Sequence, residues 1–476
     1  ARGAPAPAGA GGLMTVAAPA QVVTANPAAG APLASYPAHD AAAVEAILAA
    51  GARSARTWAL TPLADRLALL VRVGELLTQR RDAYAALITA EMGKPLSEAL
   101  AEIDKCALNC AVVAQQAPLW LADRPLESGS GRAFVAYEPL GVVLAVMPWN
   151  YPFWQVIRFA CAALASGNAA LLKHSPDTTG SALAMEQLFL DAGAPAGLFG
   201  VLVLTADQVG DVVPGIISDP RIAAVTLTGS ERAGSAVAAA AGAALKKTVL
   251  ELGGSDPFVV LPGADLVAAA AAAAKSRLGN NGQSCVAAKR FIVVDEVADE
   301  FVSHFVNAVQ ALVVGDPMTP GTTVGPMARA DLRTALLAQI AATVAQGAEV
   351  VTGGQAIDAP GWFVEPTVLD RVEPRMTAFD QETFGPVAAV IRARDTAHAI
   401  ALANDTEFGL AASVWGRSVE ALAAGRRIAS GALFVNTMVA SDPRIPFGGI
   451  KRSGYGRELS ADGLREFTNV RTVVVA

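Results

Sequence analysis

One cysteine of this chain lies in a setting that suits nucleophilic chemistry. Cys285 ends the polar loop 280–285, with the sequence NNGQSC, between an apolar helical stretch and a predicted strand. Amide side chains and glycine let a substrate approach the backbone, and the N–H of Cys285 is suited to hydrogen-bonding an oxyanion. Most free cysteines are instead buried apolar residues, and this interpretation suits Cys106, Cys110 and Cys161. The loop by itself leaves both interpretations of Cys285 open.

A carboxylate and an amide follow two other predicted strands. Glu251 ends an apolar strand in the segment 248–254, TVLELGG, where burial would raise its pKa toward the range that activates water. The alternative is a carboxylate that caps the next turn. Asn150, in the segment 148–152, PWNYP, either donates to an oxyanion or braces a proline-rich turn. No histidine lies in a comparable motif, so Glu251 is the candidate base.

A possible anion site lies in the segment 228–234, TGSERAG, which includes Gly229 and Ser230. It follows a predicted strand and opens a predicted helix, so free N–H groups and the positive end of the helix dipole would face an anion. A glycine between a strand and a helix often serves only to let the chain turn, without binding an anion. The prediction of an anion site therefore depends on the strands and helices around this segment.

These candidates sit on an alternation of strands and helices. The predicted strands are 142–147, 169–173, 201–204, 223–227 and 247–252, and the predicted helices between them are 153–166, 179–191, one ending at 217, and 231–244. Strands joined in this way predict a parallel, doubly wound sheet with a ligand crevice at the carboxyl ends of its strands.

Further elements flank this sheet. Helices are predicted from Asp40 to about Leu100, and the polar segment 119–137 predicts a hairpin arm with a turn at 128–131. A second α/β series has predicted strands at 291–294, 349–352, 387–391, 411–415 and 432–436. The β-prone end, 472–475, needs a partner, either the arm or another subunit.

Composition excludes several classes of function. The net charge of −7 and the absence of basic clusters argue against a nucleic-acid binder. No apolar stretch is long enough to span a membrane. Four cysteines and four histidines lack metal-ligand spacing, so a metal-free, reduced, cytoplasmic protein is expected. Residues 1–13 resemble neither a signal peptide nor a folded element, and Met14 is expected to be the natural start.

The motifs taken together are more specific than any one of them. In chain order they are 147–152 (MPWNYP), 172–173 (LK), 229–234 (GSERAG), 251–254 (ELGG), 282–285 (GQSC), 382–386 (ETFGP) and 446–451 (PFGGIK). This order resembles the aldehyde dehydrogenase superfamily from about Ala20 to the end.

The resemblance implies an aldehyde dehydrogenase-like α/β fold. A Rossmann-type parallel-sheet cofactor domain is expected at 21–118 and 140–252, and a second α/β catalytic domain at 253–440. A small β oligomerisation arm, 119–139 with 460–476, implies a homodimer or homotetramer. Residues 1–20 are expected to be a disordered segment.

The resemblance also implies a chemistry. The thiolate of Cys285 attacks an aldehyde, and the Asn150 amide and the Cys285 N–H hold the oxyanion of the thiohemiacetal. Hydride passes to a nicotinamide, and Glu251 activates the water that hydrolyses the thioester.

Cofactor contacts are implied at a further set of positions. They are Trp149, Lys173, Ser175, Gly229, Ser230, Glu382 and Phe384. NAD-selective members of the family carry a glutamate three residues after the ribose lysine, whereas this chain has Pro176 there. The 2′-phosphate of NADP would meet no carboxylate, so the choice between NAD and NADP stays open.

Substrate contacts are implied at Arg158, Ser441 and Arg444. Arg158 matches the arginine with which succinate-semialdehyde dehydrogenases hold the substrate carboxylate, although a helix-surface ion pair is an equal alternative. The second arginine of that anchor is Gly279 here, and Arg444 is expected to replace its charge. The chain looks most like the shorter, bacterial Sad-type branch of these enzymes, whose substrate is succinate semialdehyde.

Three competing functions follow. One is a broad-specificity dehydrogenase of aliphatic or aromatic aldehydes. Another is a cofactor-free cysteine hydrolase or acyltransferase, which predicts a histidine partner for Cys285 and no nucleotide site. The last is a non-catalytic protein that kept the fold, which the presence of Cys285, Glu251 and Asn150 disfavours.

Overall fold

The computed structural model describes residues 20–127 and 131–475. The predicted disordered segment therefore lies, except for Ala20, outside the described residues, and so does most of the predicted turn at 128–131. The chain begins with a hairpin and four helices: β1 (Gln21–Asn26), β2 (Ala31–Pro37), α1 (Ala41–Trp58), α2 (Leu63–Gln79), α3 (Arg81–Met92) and α4 (Leu96–Trp120). Asp40 begins α1 as predicted, because its side chain accepts a hydrogen bond from the N–H of Ala43 at 2.8 Å.

The arm and the first sheet follow. Their elements are β3 (Arg124–Leu126), β4 (Arg132–Pro139), β5 (Val142–Val146), α5 (Trp154–Ala165), β6 (Ala169–Lys173), α6 (Thr179–Asp191), β7 (Phe199–Val201), α7 (Ala206–Ser218), β8 (Ile222–Thr228), α8 (Glu231–Ala243) and β9 (Lys247–Glu251). The strand order is β9-β8-β5-β6-β7, all parallel. The predicted alternation thus gives the predicted doubly wound sheet. The strands are mostly apolar and buried, as is typical of a parallel sheet with helices on both faces.

The second series builds another sheet. Its elements are β10 (Asp256–Val260), α9 (Leu266–Leu278), β11 (Ala288–Val294), α10 (Asp295–Gln310), α11 (Ala330–Ala345), β12 (Glu349–Thr352), β13 (Thr367–Asp370), α12 (Thr377–Asp380), β14 (Val387–Ala393), α13 (Thr396–Asn404), β15 (Ala411–Trp415), α14 (Ser418–Gly425) and β16 (Ala432–Val435). The order is β12-β13-β14-β11-β10-β15-β16, with β12 antiparallel to β13 and the others parallel. The first sheet contributes to one apolar core, and the second sheet contributes to two others.

The last residues return to the first sheet and to the arm. They form β17 (Gly454–Tyr455), α15 (Ser460–Glu466) and β18 (Thr468–Val475). β17 pairs antiparallel with β9, and Gly454 lies opposite Glu251. β18 pairs antiparallel with β4 along its whole length, and β4 also pairs with β3. Of the two partners expected for the terminal strand, the structure gives it the arm.

The α/β fold class is confirmed, and three sets of strands had not been predicted. These are the hairpin β1–β2, the strands β10 and β13 of the second sheet, and the short strand β17. β10 begins five residues after β9 ends, whereas neighbouring parallel strands of one sheet need a long crossover between them. The short connection is possible because β10 belongs to the second sheet and not to the first. The local sequence does not reveal this change of sheet.

Candidate active site

The loop before Cys285 has a left-handed backbone. After α9 ends, Asn280 and Asn281 have φ of 57° and 56°, and Gly282 has φ of 71°. A Cβ on Gly282 would lie 2.4 Å from the carbonyl carbon and oxygen of Gly385. Only glycine fits this close approach, so the loop lies directly against the second sheet's connecting segment.

Amide side chains fix this loop from several sides. The anchors are hydrogen bonds from Asn281 Nδ2 to the carbonyls of Gly93 and Pro326, from the N–H of Gly325 to Asn281 Oδ1, and from the N–H of Ala328 to Gln283 Oε1. Glu98, on α4, accepts a hydrogen bond from the N–H of Asn280 at 2.7 Å. The position of Cys285 is therefore set by elements far away in sequence.

Cys285 is half-buried and lines a cavity of about 270 Å³. Burial raises the pKa of its thiol to about 12, against the opposing charges of Lys289 and Arg158. The carboxylates of Glu251 and Glu382 raise this pKa further. At neutral pH the group is thus a thiol in the resting protein, and forming a thiolate needs a proton acceptor.

Glu251, at the end of β9, is such a group. It is 2% exposed, and neither carboxylate oxygen has a hydrogen-bond partner among the described residues. Burial raises its pKa well above the usual value, and the neighbouring carboxylate of Glu458 adds to this, while Arg158 opposes it. A buried acid without hydrogen bonds binds a proton readily, as a general base must.

Asn150 lies against the loop of Cys285. Its Nδ2 donates to the carbonyl of Gln283 at 3.1 Å, and its own carbonyl accepts from Asn280 Nδ2 at 3.0 Å. The structure therefore brings Asn150, from the carboxyl end of β5, to the loop of Cys285. Glu251, at the carboxyl end of β9, is near enough for its charge to raise the pKa of the Cys285 thiol.

Arg158 reaches the same cavity from α5. It is 4% exposed, and its guanidinium forms an ion pair with the buried carboxylate of Glu458 and lies over the ring of Phe447 at 5.2 Å. The alternative of an ion pair on a helix surface is wrong, because α5 is buried on every side between the first sheet and the surrounding helices. Arg158 therefore lines the cavity, but its charge is already paired with that of Glu458.

Ser441 and Arg444 have different environments. Ser441 lines the cavity and accepts a hydrogen bond from Lys105 at 2.6 Å. Arg444 is exposed and binds Asp442 through Nε at 2.8 Å, and it does not line the cavity. The expected replacement of the missing arginine by Arg444 is not what the structure shows, because a carboxylate two residues away holds its guanidinium.

Lys173 lies at the carboxyl end of β6, in the predicted crevice. It is 6% exposed, and burial lowers the pKa of its ammonium to about 8, while Asp177 opposes this. Within the described residues it makes no ion pair, although Ser175 nearby binds Asp177 at 2.9 Å. A buried cation without a partner fits a site for hydroxyl or phosphate groups of a ligand.

The turn after β8 differs in detail from the prediction. Ser230 begins α8 and its Oγ accepts from the N–H of Ala233 at 3.3 Å. The N–H of Gly229 donates to the carbonyl of Glu251 at 2.9 Å. Gly229 therefore offers no free N–H to an anion, because the adjacent parallel strand takes it, whereas the start of α8 still lies at the crevice.

The remaining predicted cofactor residues come from both sheets. Glu382 accepts from the N–H of Gly254 at 3.0 Å and lies 3.1 Å from Lys289 Nζ. The ring of Phe384 meets that of Trp149 edge to face, 5.8 Å between centroids. The crevice at the ends of the first sheet's strands thus borders the loop of Cys285.

Four residues of the site were missed by the sequence analysis: Glu98, Lys105, Lys289 and Glu458. For two of them, Glu98 and Lys105, the sequence contains a pattern that could have predicted their place in the site. Glu98, Ala101, Glu102 and Lys105 repeat at helical spacing on α4, and all four line the cavity. Charged residues on one face of a helix that is buried among others indicate an internal polar site.

The fold and the site have counterparts among known proteins. Residues 15–473 match the model of the aldehyde dehydrogenase family. The chain belongs to the aldehyde dehydrogenase family, as the order of its motifs predicts.

Particular relatives are similar over nearly the full length. A probable succinate-semialdehyde dehydrogenase [NADP(+)] of Synechocystis sp. is 48% identical, over 96% of this chain and 100% of the relative. Succinate semialdehyde dehydrogenase [NAD(P)+] Sad of Escherichia coli is 46% identical, over 97% and 99%. The structure of succinic semialdehyde dehydrogenase from Streptococcus pyogenes in complex with NADP+ has a TM-score of 0.92 at 38% identity, covering 95% of this chain and 99% of that one.

Residues 20–127 and 131–475 lack both a membrane-spanning helix and a cluster of metal ligands. No helix in this part of the chain is both long and apolar enough to cross a membrane. Nor does it contain a group of three or more histidine, cysteine and acidic side chains that could hold a metal ion.

Proposed function

We propose that this protein oxidises succinate semialdehyde to succinate with NAD or NADP as the hydride acceptor. The observation that carries the proposal is the cavity of Cys285, which combines a nucleophile with cationic side chains, while the carboxylate of Glu251 is near enough to act on the thiol electrostatically. The curated relatives from Synechocystis and Escherichia coli are named for this substrate and for NADP(+) or NAD(P)+.

The protein's residues divide the reaction into two stages. Glu251 takes the proton of the Cys285 thiol as the sulfur bonds to the aldehyde carbon, and the Asn150 amide with the Cys285 N–H stabilises the oxyanion. Glu251 releases this proton to solvent between the stages. In the second stage it takes a proton from water, the water oxygen bonds to the thioester carbon, and the carbon–sulfur bond breaks, which releases the acid and leaves the Cys285 thiolate to take a proton back. The raised pKa of Glu251 suits both proton transfers.

The residues that would hold the cofactor lie along the crevice at the ends of the first sheet's strands. A nicotinamide cofactor bound by these residues would supply the hydride acceptor for oxidation of the cysteine adduct to a thioester. Lys173 and Ser175 are suited to the adenosine ribose, Glu382 to the nicotinamide ribose, and Phe384 and Trp149 to the faces of the cofactor. Gly229 and Ser230 bring the start of α8 toward the phosphates.

A cofactor-free hydrolase is the alternative from another class. It requires a histidine beside Cys285, yet none of the residues lining the cavity is a histidine. His174 is buried, bonded to the carbonyl of Pro152 and to Thr178, and burial lowers its pKa to about 4. These contacts favour a structural role, so the dehydrogenase remains the better explanation of the site.

We extend the proposal to assembly and location. The outer part of β18 exposes Val470, Val474 and Val475, between 51% and 57% each. Exposed valines on a projecting arm favour a contact with a second copy, in a homodimer or homotetramer. A reducing compartment such as the cytoplasm suits an enzyme whose Cys285 has to remain a free thiol.

The proposal is tested with purified protein, a panel of aldehydes and both cofactors. We expect reduced nicotinamide to form with succinate semialdehyde, and Cys285→Ala to abolish turnover while retaining cofactor binding, measured by nucleotide fluorescence. Cys161→Ala is the matched control, because this thiol is buried 3.6 Å from Cys110 and away from the cavity, and it should retain activity. If the wild-type protein is inactive on every aldehyde, the assignment as an aldehyde dehydrogenase is refuted. If it is active only on uncharged aldehydes, the assignment of succinate semialdehyde as the substrate is refuted.

A further inference from the structure

The cavity of Cys285 is lined by three cationic side chains in different states. Arg158 is paired with Glu458. Lys275 is exposed at the mouth of the cavity, where water solvates it. Lys105 is half-buried and forms no ion pair within the described residues. One partly desolvated charge in this cavity is therefore left without an anion.

The nearby carboxylates do not supply that anion, because each is already bound. Glu102 pairs with the buried Lys94 and accepts hydrogen bonds from the N–H groups of Phe153 and Trp154 at the start of α5, both at 2.9 Å. The other two carboxylates are held elsewhere: Asp442 binds Arg444, and Glu98 binds the N–H of Asn280.

The surroundings of Lys105 orient its ammonium. Nζ donates to Ser441 Oγ at 2.6 Å and lies 4.4 Å from the centroid of the Trp154 ring, which supports a cation on its face. Together the lysine and the serine offer an N–H donor and an O–H donor in the same wall of the cavity. Such a pair is suited to two oxygens of one carboxylate.

We propose that Lys105 supplies the charge that anchors the distal carboxylate of the aldehyde substrate, beside Ser441, for which the resemblance already implies a substrate contact. The inference rests on the proposed function, and it assigns the neutralising charge to a residue on α4. Binding moves the hydroxyl proton of Ser441 toward the substrate, while Lys105 provides the neutralising charge. Arg158 borders the site and keeps its bond to Glu458.

The anchor predicts a selective effect on substrate binding. Lys105→Met keeps an unbranched side chain that is one atom shorter and removes the charge. We expect its KM for succinate semialdehyde to rise about 10- to 100-fold, as for the loss of a hydrogen bond to a charged group, and its KM for butanal to change less than about threefold. The kcat for butanal should be unchanged, which also shows that the variant is folded.

Lys275→Met is the matched control, because it removes another lysine of the same cavity that is exposed and does not contact Ser441. We expect both KM values of this variant to stay within about threefold of wild type. A second readout is the binding of succinate by calorimetry, which should be lost in Lys105→Met and retained in Lys275→Met.

The outcomes separate the two proposals. Wild-type protein without activity on succinate semialdehyde overturns the proposed function and the anchor with it. Wild-type activity on succinate semialdehyde together with an unchanged KM in Lys105→Met overturns the anchor alone. Equal increases of KM for succinate semialdehyde and butanal also overturn it, because they indicate a structural role for the lysine.

Discussion

At the scale of residues, the chemistry depends on groups whose usual properties are changed by burial. Cys285 has a thiol with a raised pKa, and Glu251 is a carboxyl group with no hydrogen-bond partner among the described residues. The charge of Glu251 acts on the thiol, and shifted pKa values at two such groups are typical of a nucleophile and a base. The sequence predicted both residues. It missed Lys105, because a lysine on a helix is most often a solvated surface residue.

Lys105 gives a prediction for the pH dependence of substrate binding. Burial, helped by the charge of Arg158, lowers the pKa of its ammonium to about 8, while Glu102, Asp442 and Cys106 oppose this. The charge is present below this pKa and lost above it, so its fraction falls from about 90% at pH 7 to about 10% at pH 9. The ratio of KM for succinate semialdehyde to KM for butanal should rise over this range.

The measurement is steady-state kinetics at half-unit pH steps. Taking the ratio of two substrates cancels the titration of Cys285 and Glu251, which both reactions share. The ratio should be independent of pH in Lys105→Met, and a variant that keeps the wild-type slope would contradict the assignment of the titration to this lysine.

At the scale of elements, short loops between helices and strands position the catalytic candidates. The loop after α9 turns through three left-handed residues and is held by Glu98 from α4 and by Asn150 after β5. The amides and the glycine of this loop were recognisable in the sequence as unusual. Their partners were not, because Gly93, Pro326 and Gly385 are distant along the chain.

Gly282→Ala should damage the site through this loop. A Cβ at this residue meets the carbonyl of Gly385 and also requires a positive φ, so we expect a loss of about 2–4 kcal/mol in the free energy of unfolding. Displacement of Cys285 by about 1 Å should lower kcat roughly 100-fold. Denaturant unfolding and butanal turnover measure the two effects.

Gly242→Ala is the control for this substitution. Gly242 lies in α8, its Cβ would meet no atom within 4 Å, and alanine favours a helix by about 1 kcal/mol. We expect its stability to be equal or higher and its activity to be unchanged. If the two alanine variants behave alike, Gly282 has no special role in placing the nucleophile.

At the scale of the whole molecule, two sheets and a returning C-terminal segment meet around one thiol. The first sheet contributes Asn150 and Glu251, and the connection into the second sheet contributes Cys285. The segment after β16 brings Phe447 to the wall of the cavity and Glu458 to Arg158 before it ends in β18 on the arm. A wall of the cavity and the arm proposed for assembly thus belong to the same last stretch of chain.

The arm provides a test of the proposed assembly. Val470 and Val474 are 57% and 53% exposed on β18, so replacing both by aspartate should cost the isolated subunit little. In an oligomer these charges would be buried without partners, and we expect the mass from light scattering to fall. Val419→Asp, at an exposed site on α14, is the control and should keep the wild-type mass. Equal masses for all three proteins would argue against a contact through the arm.

The sequence by itself determined the fold class, the first sheet and the catalytic candidates, because strand–helix alternation and local motifs depend on residues close together in the chain. It also predicted that β18 needs a partner. Only the tertiary structure decided which charges meet. Arg444 is bound by Asp442, Arg158 by Glu458, and Lys105 is left without a carboxylate beside Ser441. The state of a charge depends on burial and on partners from distant elements, and the packing of helices and sheets supplies both.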